Sequence, residues 1–204
     1  MTKILETHNL RKEFGGLVAV ADVSIEIEQG SLHSIIGPNG AGKTTFFNLL
    51  SGKYKPTQGQ VLLNGKDITD LPFHERIHHG IGRSFQVTNI FPNLTVLENV
   101  RLAAQAVSSV SFAFWRNANT YDKLRERASE VLTLVGLGSS QYILANALPH
   151  GGKRKLELAM LLAPNPDILL LDEPTAGMAS EQVPELIDII ANLRQTQHKT
   201  IVMV

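Results

Sequence analysis

The sequence predicts an α/β fold with an inserted helical part, and three observations predict it. SLHSIIG reads as a buried strand that enters a glycine-rich turn and then a helix, GKTTFFNLLSG. DILLLDEP is an unbroken apolar run of strand length ending in two carboxylates, the pattern of a strand covered on both faces. Between these two, the apolar period lengthens to that of helices. Taken in order, ILETHNL and VSIEIEQG are strands, the second alternating apolar with polar residues. Gly52 closes the helix after the glycine-rich turn. GQVLLNGKDI is a hairpin, two β-prone runs on either side of Asn64-Gly65. From Phe91 to about Ala147 the pattern is helical, most clearly in YDKLRERASEVLTLVG. There Leu124, Ala128, Val131, Leu132 and Val135 share one face and Gly136 ends the segment. EQVPELIDIIANLRQ is a further amphipathic helix and KTIVMV a further strand.

The chain has 204 residues, enough for one domain or one domain with an inserted lobe. Nineteen Lys and Arg balance nineteen Asp and Glu, so no overall basic field attracts nucleic acid or anionic lipid. There is no cysteine, hence no disulfide framework and no thiolate metal site. Glu6 and His8 interrupt the N-terminus where a signal peptide is apolar, and AAQAVSSVSFAFW is too short and too serine-broken to span a bilayer. A soluble chain is expected.

The chemistry is concentrated in GPNGAGKTT, residues 37–45, which has the form G-x-x-x-x-G-K-[ST] between a predicted strand and a predicted helix. Gly37, Pro38, Asn39, Gly40, Ala41 and Gly42 are the phosphate-loop candidates. Glycines there let successive backbone amides converge on phosphate oxygens, and the helix N-terminus adds positive potential. Lys43 is expected to reach the β and γ phosphates, and Thr44 to offer its hydroxyl to Mg²⁺, with Thr45 beside it. Asp172 and Glu173 follow the apolar strand. In this context the first suits the Mg²⁺ shell and the second suits orientation of the water that attacks the γ-phosphate.

GPNGAGKTT, the glutamine of GRSFQ, the segment LPHGGKRKLELA and LLLDEPTAGM, in that order with a helical insert between the second and third, resemble the ATP-binding subunit of ATP-binding-cassette transporters. The resemblance covers essentially the whole chain, and guanine-specificity residues of the NKxD type are missing. It implies a P-loop NTPase with a recA-like core, an antiparallel β-subdomain and an inserted α-helical subdomain. The expected division places core and β-subdomain at 1–90 and 155–204, and the helical subdomain with the signature segment at 91–154. It also implies ATP and Mg²⁺ as cofactors and a second such subunit that sandwiches two ATP molecules head to tail. The further partners implied are integral-membrane permease subunits and, through them, a solute-binding protein, with the chain peripheral on the cytoplasmic face of the inner membrane. By resemblance Phe14 stacks on adenine with Val20 packing nearby, and Gln86 touches Mg²⁺ and the attacking water. His150, Gly151 and Gly152 contact the partner subunit's nucleotide. FPNLTVLENV, the long insert after it and the ending PTAGM look most like the branched-chain amino acid importer ATPases and the related urea importer subunit. The alternative is a regulatory cassette that binds ATP and dimerises but hydrolyses poorly.

Three departures stand out. The family's signature usually reads Leu-Ser-Gly-Gly-Gln. Here Leu148 and Gly151 fit, while Pro149 stands for the serine, His150 for the first glycine and Gly152 for the glutamine. Proline supplies neither hydroxyl nor backbone N–H. Ala179 occupies a place where the family has Asp or another polar residue, and the chain reaches Val204 before the family's switch histidine, which truncation most simply explains. One segment imitates other chemistry: HERIH, residues 74–78, fits the H-E-x-x-H zinc-protease pattern. Pro72 and Gly80 bound it to about two turns, no third ligand follows, and it is expected on a short surface helix. His33, His79 and His198 have no pattern around them and are expected at the surface or in packing.

Overall fold

The computed structural model describes residues 2–84, 90–107 and 118–204, with side chains of 118–120 left aside. The chain forms two compact units, Met1–Arg83 with Asp167–Glu173 and Leu193–Val204, and Ser84–Pro166 with Pro174–Asn192.

The first unit holds two four-stranded sheets. In the antiparallel one the order is β2-β1-β4-β5, with β1 at Lys3–Phe14, β2 at Leu17–Glu28, β4 at Gln58–Leu63 and β5 at Lys66–Asp67. The β1–β2 hairpin turns at Gly15, φ 58, and Gly16, between the paired residues Phe14 and Leu17. Asn64 and Gly65, φ 49 and 74, make the two-residue β4–β5 turn. Positive φ at both positions selects the turn whose twist matches the strands, and Asn-Gly tolerates it best. Gly59 is required for another reason. At φ 86 a side chain there would drive into the carbonyls of His8 and Asn9 on β1.

The second sheet is parallel, in the order β3-β8-β7-β6, with β3 at Leu32–Ser34, β8 at Thr200–Met203, β7 at Ile168–Leu171 and β6 at Ile81–Arg83. Every residue of β7 is buried, as its unbroken apolar run requires. Helix α1, Lys43–Leu50, follows β3, and its Phe47, Leu49 and Leu50 are completely buried in one core with Leu5, Leu10 and Ile27 of the antiparallel sheet and Ile168 and Leu170 of β7.

HERIH does not form the continuous helix that a paired-histidine zinc site needs. Helix α2 is only Phe73–Arg76, a 3-10 turn takes over at Ile77–His79, and Gly80 at φ 91 ends it. Its central residue has a different task. Arg76 is 1% exposed and donates to the carbonyls of Leu49 at 3.0 Å, Leu50 at 2.6 Å, Ile68 at 2.8 Å, Thr69 at 3.2 Å and Leu71 at 3.0 Å. Two of these are carbonyls of the last turn of α1, which have no partner within the helix. Burial pulls the guanidinium down to about 10 and Asp67 opposes this, so it remains a cation at neutral pH.

In the second unit, α3 at Val96–Ala106 packs against α4 at Ala118–Leu134 and α5 at His150–Leu162. Thr95 caps α3, its hydroxyl accepting from the Glu98 amide at 3.2 Å. The fully buried Asn99 accepts from the Phe91 amide at 2.7 Å and donates to the carbonyls of Phe91 and Thr95 at 3.0 and 2.9 Å. That clamp closes the FPNLT loop onto its helix. On α4, Ala128, Val131 and Leu132 are buried together with Val135 just past its end, and Gly136 turns the chain at φ 75. Helix α6 runs Val183–Gln197. Among the described residues no helix is long and apolar enough to cross a membrane.

Candidate functional site

Parallel strands deliver their C-terminal ends to one edge of a sheet, which is where α/β proteins bind ligands. At that edge of the first unit, β3 leads into residues 37–42 and α1, β7 leads into Asp172-Glu173, and β6 ends at Arg83. Gly42 caps α1 in a left-handed conformation, φ 83 and ψ 5. A side chain at Gly42 would strike the Ala19 carbonyl, so only glycine fits. Gly40 also has φ 83 but faces open space. The Lys43 ammonium donates to the carbonyls of Gly37 at 2.7 Å and Pro38 at 2.9 Å, which holds the cation across the loop. Thr44 is exposed and Thr45 half-buried in the first turn of α1, and Asn39 and Ala41 are exposed in the loop.

A helix N-terminus presents amides that have no partner within the helix, and Gly42 has no side chain to cap those of α1. With an ammonium and an exposed threonine hydroxyl beside it, this donor set fits a polyphosphate and the divalent cation that travels with it. Asp172, 2% exposed at the end of β7, is the carboxylate on the same edge. Glu173 is exposed and held at φ 46, its amide donating to the Val204 carbonyl at 3.3 Å. A non-glycine residue in this region costs on the order of 1 kcal/mol. The turn carries the chain out of the sheet immediately after the buried aspartate, so two adjacent carboxylates occupy opposite environments.

Arg83 belongs to this cluster although no role was assigned to it from the sequence. Nη1 donates to Asn48 Oδ1 at 2.6 Å and Ser51 Oγ at 2.7 Å, and Nη2 donates to Asp172 Oδ2 at 3.3 Å. The guanidinium carbon lies 5.9 Å from the centre of the Phe47 ring. Burial lowers the Arg83 pKa, and the Asp172 charge opposes that shift. A signal was present in the sequence: a cation closing a short strand beside β7 needs a buried anion, and Asp172 ends β7.

Phe14 is 44% exposed at the end of β1, packed edge-to-face on Tyr54 with ring centres 5.5 Å apart and with Lys12 Nζ 5.1 Å from its own ring centre. Val20 is buried, its Cγ2 3.7 Å from where a side chain at Gly42 would begin. It therefore packs beneath the loop.

The predicted loop residues, Phe14, Val20, Asp172 and Glu173 all belong to the first unit. Gln86 lies outside the described residues. His150, Gly151 and Gly152 belong to the second unit and form the first turn of α5, with Pro149 at its N-cap, φ −64 and ψ 165, making no side-chain cap bond. Gly151 is buried with the end of the Gln182 side chain beside it, and the His150 ring lies beside Gly177, its Cε1 3.2 Å from where a side chain there would begin.

The ABC transporter family model matches residues 20–176. The chain is 36% identical over 206 aligned positions to the high-affinity branched-chain amino acid transport ATP-binding protein LivG of Salmonella typhimurium, covering 98% of this chain and 81% of that one. It is 37% identical over 191 positions to the lipopolysaccharide export system ATP-binding protein LptB of Haemophilus influenzae, covering 94% of this chain and 76% of that one. Among solved structures it resembles the ATP-binding cassette MJ1267 in its ADP conformation, with TM-score 0.85, 29% identity, and coverage of 100% of this chain and 81% of that one.

Proposed function

The chain belongs to the ABC transporter family, and from that premise we propose that it binds Mg·ATP at the 37–45 loop and hydrolyses it to drive an importer. The observation that carries this reading is the convergence at one sheet edge of the loop with its Lys43 ammonium, the buried Asp172 and the exposed Glu173. The loop amides and Lys43 hold the β and γ phosphates, and Phe14 offers its exposed ring to adenine. Thr44 and Asp172, joined by Gln86, hold the Mg²⁺, which when bound neutralises phosphate charge. Glu173 orients a water and accepts its proton as the water oxygen bonds to the γ phosphorus and the bond to the β–γ bridging oxygen breaks. Burial suits Asp172 to a fixed electrostatic task, and exposure suits Glu173 to proton exchange. Calorimetric titration of ATP in the presence of Mg²⁺ tests the binding step. No heat of binding, or equal affinity in Lys43→Ala, overturns it.

Two such subunits pair, in this reading, so that His150, Gly151, Gly152 and the amides of α5 face the nucleotide of the partner. The pair sits on permease subunits at the cytoplasmic face of the membrane, and a solute-binding protein delivers solute to those permease subunits. Branched-chain amino acids are the proposed cargo because FPNLTVLENV and PTAGM resemble that importer subfamily and LivG aligns over nearly the whole chain. Comparable identity to a lipopolysaccharide export protein makes the permease the arbiter. Co-expression with branched-chain amino acid permeases, followed by labelled leucine uptake into vesicles loaded with ATP, tests the cargo. Nothing observed favours the regulatory-cassette alternative.

A further inference from the structure

We propose that Arg83 is a positioning residue that fixes the Asp172 carboxylate relative to the helix carrying Lys43 and Thr44, so that the two metal-facing side chains, Thr44 and Asp172, stand at a set separation. The inference rests on the reading of Asp172 and Thr44 as the Mg²⁺-holding pair.

Thr44 and Asp172 come from different elements, the first turn of α1 and the end of β7. Their separation is only as well defined as the packing between those elements. A short carboxylate side chain at a strand end also rotates about its own bonds. Arg83 addresses both. Its side chain is 7% exposed and that of Asp172 is 1% exposed, so the pair sits in a medium where a charge-assisted bond is strong and a displaced charge is costly. One guanidinium nitrogen is anchored twice at the C-terminal end of α1, by Asn48 in the helix, 5% exposed, and by its C-cap Ser51, 1% exposed. The neighbouring nitrogen donates to Asp172 Oδ2. Because guanidinium is planar and rigid, these two attachments cannot move independently. The same α1 that carries Thr44 at its start therefore grips the arginine that orients Asp172. Three neighbouring strands contribute, since β6 pairs in parallel with β7 through Arg83 and Leu170, and β7 with β8. The Arg83 side chain itself is buried, with Asn48, Ser51 and Asp172 as hydrogen-bond partners, so its effect is exerted through Asp172.

A lysine keeps the charge but presents a point ammonium in place of the fork, so it holds either α1 or Asp172 well, not both. A methionine keeps much of the stem and loses both attachments. The readout is the ratio of ATP dissociation constants, in EDTA against in Mg²⁺, measured by calorimetry on the intact chain. General loss of packing changes both constants together, whereas misplacing Asp172 changes only the Mg²⁺ arm. Arg83→Met is expected to leave the EDTA constant within about twofold of wild type and to bring the ratio to that of Asp172→Asn. Arg83→Lys and Asn48→Ala, which leaves the arginine charged but half-anchored, should fall between. Arg83→Met added to Asp172→Asn should lower the ratio no further, because the arginine acts through the aspartate. If Asp172→Asn collapses the ratio while Arg83→Met, or Arg83→Lys and Asn48→Ala should the methionine variant fail to fold, keeps the wild-type value, the positioning role is overturned. If Asp172→Asn itself keeps the wild-type ratio, the metal-holding reading fails first.

Discussion

Glu173 combines a left-handed backbone, φ 46, with an exposed carboxylate, and the two can be separated by substitution. Asparagine tolerates the left-handed region better than glutamate because its short amide bonds locally. Glu173→Asn should therefore unfold about 0.5–1 kcal/mol later than wild type in chemical denaturation, while Glu173→Gln, with the wild-type stem, should match wild type. Both lose the proton acceptor, so both should abolish turnover and retain ATP binding. Wild-type hydrolysis by Glu173→Gln would remove Glu173 from the reaction. At Lys43 the expectation is simpler. Its ammonium already spans the loop through two carbonyl bonds, and a charge-assisted bond is worth about 1.5–3 kcal/mol. Lys43→Ala should weaken ATP roughly 10- to 150-fold in calorimetry, without the gain in stability expected of Glu173→Asn.

At the scale of elements, most of what the sequence announced was local. Asn64-Gly65 demanded a two-residue turn, the spacing from Leu124 to Val135 demanded a buried helix face, and G-x-x-x-x-G-K-T demanded a loop between strand and helix. Each depends on residues a few positions apart. What stayed hidden was the destination of buried cations. Arg76 caps a helix 26 residues earlier, and Arg83 reaches a carboxylate 89 residues later. Neither distance is visible in a periodicity, and HERIH drew attention to its histidines while its arginine held the fold. Thr95-Val-Leu-Glu98 is a capping pattern that could have been read, since threonine three residues before glutamate opens a helix. Arg76→Met should remove the guanidinium bonds to the carbonyls of Leu49, Leu50, Ile68, Thr69 and Leu71 and destabilise the chain by about 2–4 kcal/mol, a fall in Tm on the order of 10 °C. His74→Ala, at an exposed position, should change stability by less than about 0.5 kcal/mol. The folded Arg76 pKa, about 10, lies below its ordinary value. The unfolded chain thus binds the extra proton only between those values, and stability rises with pH there alone. The Arg76→Met difference should accordingly be constant from pH 6 to 9, and a slope within that range would mean the guanidinium is not the group responsible.

At the scale of the whole molecule the open matter is what a second subunit meets at Pro149. Pro149 has extended dihedrals, φ −64 and ψ 165, that serine adopts without strain, and it leads straight into the amides of His150, Gly151 and Gly152. A hydroxyl placed there has two competing uses. It can cap α5 in its own subunit by accepting from an amide of the first turn, which contributes typically about 1 kcal/mol over alanine. Alternatively, it can donate to a phosphate oxygen of the partner's ATP, a bond to a charged group worth about 1.5–3 kcal/mol. Replacing proline also frees the unfolded chain, which offsets about 0.4–1 kcal/mol of any gain. For this reason Pro149→Ala, not wild type, is the reference for the serine variant. If capping alone operates, serine exceeds alanine in thermal stability by the same amount with and without nucleotide, and the two variants dimerise alike. If the hydroxyl reaches the partner's ATP, serine exceeds alanine in ATP-dependent dimer fraction and in ATPase rate by roughly one to two orders of magnitude, and the advantage vanishes in ADP. The second outcome is expected, because a bond to a charged phosphate oxygen is worth more than a neutral cap, and α5 already starts at His150 with no side-chain cap at Pro149. Sedimentation of both variants in ATP and in ADP, with ATPase rates alongside, decides it: equal behaviour of serine and alanine in ATP would assign Pro149 a purely conformational role.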